Sequence, residues 1–137
     1  MKNEERADRL LSEAENIVNE LEQSLESENW NLTIRRAQEV VELVLKGLLA
    51  QLGIDYPKVH DVAPIFKRSV EEKGVMVDEE FMNWLIEFSA DLSTKRAPSF
   101  YFEAEYDEDD AVNGAKGAEE VIKFGKWFIE AVREKLT

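Results

Sequence analysis

The sequence predicts an all-α protein, an up-and-down bundle of four to five helices. Three observations predict it. Apolar residues recur at three- and four-residue steps over five stretches, the period of an amphipathic helix. The breaks between those stretches carry capping and stop residues, namely Asn29, Gly53, Gly74 and Asp78. No alternating run is long enough to found a sheet, and Ser99 to Tyr106 is short and isolated.

The first helix is expected from Glu4 to about Ser27, with Leu10, Leu11, Ala14, Ile17, Val18, Leu21 and Leu25 on one stripe. Asn29 caps the second, Trp30 to Leu52. Its Ala37, Val40, Val41, Val44, Leu45, Leu48 and Leu49 cover more than half the circumference, so it sits centrally. Its polar residues Arg35, Glu39, Glu42 and Lys46 form a stripe that predicts the i,i+4 pairs Arg35–Glu39 and Glu42–Lys46. Gly53 ends that helix, and His60-Asp61 offers an N-cap for a short third one stopped at Gly74. Asp78 caps a fourth, whose buried face is Phe81, Trp84, Leu85, Phe88 and Leu92. Pro98 is expected to end it, because proline disfavours helix at the preceding residue. After a connector from Ser99 to Asp110, the last helix runs from about Asp109 to Lys135, its stripe closing on Leu136. Gly114, Ala115, Gly117 and Ala118 are small enough to admit a neighbouring helix closely.

The chain has 137 residues and no internal repeat or linker, which predicts one domain over 1–137. The net charge of −13 argues against broad nucleic-acid binding, which depends on neutralising phosphates. Any contact with a nucleotide or RNA must come from a local basic cluster. There are no cysteines, which removes disulfides, thiolate metal sites and cysteine nucleophiles. With no apolar run near the ~20 residues of a membrane span and a polar N-terminus, a cytoplasmic protein without membrane contact is expected. No phosphate-binding glycine loop appears. The single histidine, His60, has Pro57 three residues before it and so cannot complete a di-iron Glu-x-x-His motif. No cofactor and no metal are expected.

Two features together resemble the HEPN (higher eukaryote and prokaryote nucleotide-binding) domain family over residues 30–135. One is Arg36-Ala-Gln-Glu-Val-Val-Glu-Leu-Val-Leu-Lys-Gly-Leu-Leu leading through a short loop to His60-Asp61. The other is Arg96-Ala-Pro98 followed by aromatics and an acidic stretch. The resemblance implies a helical bundle like the substrate-binding subunits of nucleotidyltransferases, often homodimeric. Many such proteins work beside a small nucleotidyltransferase in toxin–antitoxin pairs. Other members are metal-independent ribonucleases that use Arg-x-x-x-x-His across a dimer. Here Tyr101 stands five residues after Arg96. Tyrosine, with an ordinary pKa near 10, is a poor general base at neutral pH. A tyrosine that the nucleotidyltransferase modifies in some members corresponds to Glu103, so that feature is also missing.

The candidate ligand-binding residues are Arg96, Tyr101, His60, Arg35 and Lys46, with no catalytic residue assigned. Arg96 presents a fork of donors suited to phosphate; the alternative is a cation satisfying the last carbonyls of its helix. His60 is a phosphate contact or a helix cap. Tyr101, with Phe100 and Phe102, stacks a base or covers the core. Arg35 and Lys46 widen a basic pocket unless their own glutamates neutralise them. The expected function is a nucleotide- or phosphate-binding module, with a divergent ribonuclease and an interaction scaffold as alternatives.

Overall fold

The computed structural model describes residues 2–135, which form five helices and no strand: α1 Asn3–Glu26, α2 Trp30–Gln51, α3 Ala63–Lys73, α4 Glu79–Tyr101 and α5 Glu108–Lys135. Leu136, expected on the α5 stripe, lies outside the described residues. Asn29 caps α2 by accepting from the Leu32 amide at 3.3 Å, and Asp78 caps α4 by accepting from Phe81 at 2.9 Å. Gly53 and Gly74 take the left-handed conformation that lets the chain leave α2 and α3.

Close contacts set the directions. Ser24 in α1 meets Thr33 in α2 at 2.9 Å, and Leu11 lies against Gly47, so α1 and α2 are antiparallel. Arg133 near the end of α5 reaches Asp8 at 2.9 Å, so α5 runs against α1 and along α2. Gly117 of α5 faces Phe88 of α4, and Gly114 faces Leu92, which makes that pair antiparallel. The four long helices therefore go up and down, with α3 inserted as a short end-piece. Its Phe66 sits edge-on to Phe124 and Phe128 at 6.0 and 5.3 Å. As the apolar pattern predicts, α2 is central, with Val40, Val44, Leu45, Leu48 and Leu49 fully buried.

Three local expectations are corrected. Pro98 does not end α4; the helix continues to Tyr101. A proline removes one main-chain bond and crowds the preceding turn. Tertiary contacts around the last turn offset that cost. Here Asn31 Nδ2 takes the Ser99 carbonyl at 3.2 Å, and Ser99 Oγ donates to Arg96 O at 2.7 Å. The stop falls instead at Phe102, in the left-handed region at φ 54°, where Glu103 N closes on Pro98 O at 3.1 Å. Second, His60-Asp61 does not cap α3. That helix begins at Ala63 with Val62 in the cap position and Pro64 in its first turn, where a proline's missing N–H costs nothing. Asp61 instead accepts from Ser89 Oγ at 2.7 Å and ties the α2–α3 loop to α4. Third, Glu39 pairs with Arg36 at 2.6 Å and not with Arg35, while Lys46–Glu42 forms as expected at 2.8 Å.

The α4–α5 connector is short, and Asn31 fixes it. Its amide donates to Ala104 O at 2.9 Å, and its carbonyl accepts from Tyr106 N at 2.9 Å. The acidic run then starts α5 through reciprocal bonds between Asp107 and Asp110, a cap that also places negative charge at the helix's positive end.

Candidate functional site

The polar residues that α2 keeps on one side, Asn31, Arg35, Gln38, Glu42 and Lys46, follow helical spacing and make a single seam facing α4 and the α2–α3 loop. Gln38 is only 1% exposed and joins three segments. Its carbonyl oxygen accepts from Arg96 Nη1 at 2.5 Å. Its amide donates to Glu42 Oε1 at 3.0 Å and to the His60 carbonyl at 3.3 Å. Glu42 also meets His60 Nδ1 at 2.7 Å and Lys46 Nζ at 2.8 Å. Burial by itself pushes the Glu42 carboxyl up. The hydrogen bonds from Gln38, Lys46 and His60 outweigh that and hold it below the usual glutamate value. Because an ionised carboxylate only accepts, Nδ1 of His60 is the donor, and the His60 side chain is 56% exposed.

Above this seam lies a cavity of about 320 Å³ lined by Arg35, His60, Ser93, Arg96, Ala97, Phe100 and Tyr101. Four of the five residues singled out from the sequence thus line one space. The fifth, Lys46, does not: it is paired with Glu42 and lies 5.6 Å from the Tyr56 ring centre, linked to the cavity only through Glu42. Arg35 stacks on the Phe100 ring at 3.9 Å. Among the described residues neither Arg35 nor Arg96 has a carboxylate partner, and Arg96 is held by the neutral Gln38. Two guanidinium charges therefore face one cavity in a chain of net charge −13.

The proposed alternatives for these residues fare differently. Arg96 does not cap a helix end, because α4 runs on past it. Phe100, Tyr101 and Phe102 do not cover the core; they are 48, 67 and 68% exposed, and the first two form an aromatic rim on the cavity. Sequence reasoning missed Gln38, Ser93 and Glu42 as parts of this site. The signal for Gln38 was present: it is a long polar side chain on the most apolar helix, three residues after Arg35. Ser93 was in helical register with Arg96 on the cavity side of α4.

Among the described residues no group of histidines and carboxylates is placed to hold a metal ion, and no helix is long and apolar enough to cross a membrane. A family model described as HEPN domain matches residues 7–131, so the likeness takes in α1 as well as the segments that first suggested it. No curated protein and no solved structure matches the chain. The five-helix architecture, the central α2 and the match over nearly the whole length agree: this chain belongs to the HEPN domain family, whose members are associated with nucleotide binding or RNase activity and with toxin–antitoxin systems.

Proposed function

We propose that the protein is a nucleotide- or phosphate-binding module whose ligand sits between Arg35 and Arg96, beside His60 and Tyr101. The observation that carries this reading is the pair of guanidinium groups without carboxylate partners in one cavity. A buried or half-buried cation lacking a counter-charge is costly in a folded protein, and an anionic ligand removes that cost. Arg35 is pre-positioned by its ring stack and Arg96 by Gln38, so little side-chain freedom is lost on binding. The aromatic rim offers π-faces for a base. From the family we also propose a homodimer acting with a small nucleotidyltransferase in a toxin–antitoxin pair.

Calorimetric titration with ATP, GTP and UTP tests the ligand. Arg35→Ala is the cleaner variant because Arg35 makes no hydrogen bond whose loss orphans a buried group. Losing one charge-assisted contact weakens binding by about tenfold to a hundredfold. No binding of any nucleotide by the wild-type protein sinks the reading. A second reading, a divergent metal-independent ribonuclease, is favoured by one observation: His60 shares the cavity with Arg96, and Glu42 holds its Nδ1 so that Nε2 is available to move a proton. RNA cleavage that His60→Ala abolishes would establish it. Cleavage that survives Arg96→Ala would come from a contaminant.

A further inference from the structure

Ser93, Arg96, Ala97 and Phe100 stand at i, i+3, i+4 and i+7 on α4 and form one wall of the cavity. On that wall Ser93 Oγ is buried and has no hydrogen-bond partner within the protein. The other serine and threonine hydroxyls of the same helix are all engaged. Thr94 donates to Ala90 O at 3.0 Å, Ser99 to Arg96 O at 2.7 Å, and Ser89 to Asp61 Oδ1 at 2.7 Å. The Nε–H of Arg35, on the α2 side of the cavity, is likewise buried without a hydrogen-bond partner, as is that of Arg36 outside it. Unpaired buried donors are rare in native proteins, because each forfeits its bond to water. Ser93 Oγ and Arg35 Nε both belong to residues that line the cavity, and acceptor oxygens placed there would satisfy them.

We propose that this cavity seats a terminal phosphate monoester, with Ser93 Oγ and Arg35 Nε as donors alongside Arg96. The proposal rests on the anion-binding reading above and specifies its ligand. A monoester carries about −1.5 to −2 charges at neutral pH and three strongly accepting oxygens. That matches two guanidinium charges and three donors. An internal phosphodiester carries a single charge and leaves one of the two guanidinium charges uncompensated. Size agrees: the cavity, about 320 Å³, is at the small end of ligand sites, which run from about 300 to 1,000 Å³. A long polyanion would meet the strongly negative remainder of the chain.

Calorimetry on the full chain with AMP, the dinucleotide ApA and its 5′-phosphorylated form pApA tests this. AMP and pApA are expected to bind, with ApA weaker by about tenfold or more. Ser93→Ala is expected to weaken AMP by a similar factor while leaving the melting temperature unchanged or raised, since it deletes a hydroxyl with no partner. Equal binding of ApA and pApA by the wild-type protein overturns the monoester assignment. So does a folded Ser93→Ala that binds AMP as tightly as wild type. In both cases, if Arg35→Ala still loses the ligand, the broader anion reading stands. If none of the three probes binds, both readings fall.

Discussion

Gly114 and Gly125 lie on the face of α5 that packs against α2, and the same substitution is expected to stabilise at the first and not at the second. A methyl at Gly114 would lie 3.5 Å from Ile34 Cδ1, 3.6 Å from Ala37 Cβ and 3.9 Å from Leu92 Cδ2, all ordinary contacts. Gly114→Ala therefore gains up to about 1 kcal/mol of helix propensity and up to about 0.8 kcal/mol from a buried methyl. Its net effect is stabilisation by about 1–2 kcal/mol. A methyl at Gly125 would lie 2.7 Å from Val44 Cγ1. Val44 is fully buried, and a β-branched side chain in a helix has one strongly favoured rotamer, so it cannot swing aside. Overpacking of this kind costs about 1–3 kcal/mol. Against the same propensity gain, Gly125→Ala is neutral to destabilising by about 2 kcal/mol. Urea unfolding followed by circular dichroism measures both, and the expected gap corresponds to melting temperatures several degrees apart, at about 3–5 °C per kcal/mol for a chain of this size. If Gly125→Ala proves as stabilising as Gly114→Ala, the approach of α5 to α2 is not set by glycine and the reasoning fails.

Glu42, held below the usual glutamate value of 4.5, contributes stability that is fully present above that pH and is lost as pH falls through its folded-state value. Urea midpoints taken from neutral pH to about pH 3 are expected to fall less steeply in Glu42→Gln than in wild type; parallel curves would refute this. Asn31→Ala orphans the Ser99 and Ala104 carbonyls and the Tyr106 amide. A loss of about 2–3 kcal/mol is expected, with faster hydrogen exchange at Tyr106; an unchanged exchange rate there would show that the connector is held by something else. Gln38→Leu removes the support under Arg96 while keeping helix and volume. It is expected to weaken nucleotide binding about tenfold, read by calorimetry, and unchanged affinity would show that Arg96 positions itself.

Most of the fold was legible because its signals are local. Asn29, Asp78, Gly53 and Gly74 act within a turn of themselves, so their positions predicted the helix ends closely. Pro98 misled because its penalty is offset by Asn31, far away in sequence, which binds the Ser99 carbonyl. Arg35 and Arg36 are adjacent on one helix, and spacing alone does not decide which of them reaches Glu39. A long-range contact does: Phe100 takes Arg35, and Glu20 with Glu39 takes Arg36. The gathering of His60, Arg96 and Tyr101 was suggested by family resemblance, while Arg35 came from the polar stripe of α2. Gln38 was overlooked because one polar residue among apolar ones reads as an exception until its partners are known.

The seam on α2 also bears on how this chain tolerates change in length. Asn31, Arg35, Gln38, Glu42 and Lys46 stay in phase only because the helix between them is unbroken, and each residue added or removed turns everything beyond it by about 100°. A single-residue deletion between Gln38 and Glu42 would leave Arg35 and Gln38 facing α4 while swinging Glu42 and Lys46 out of register with His60 and Tyr56. The exposed Pro57 to Val59 stretch has no such phase to keep. Insertions are expected to be absorbed there and refused in the helix beside it, so the α2–α3 loop is the place where this fold can lengthen without losing its cavity.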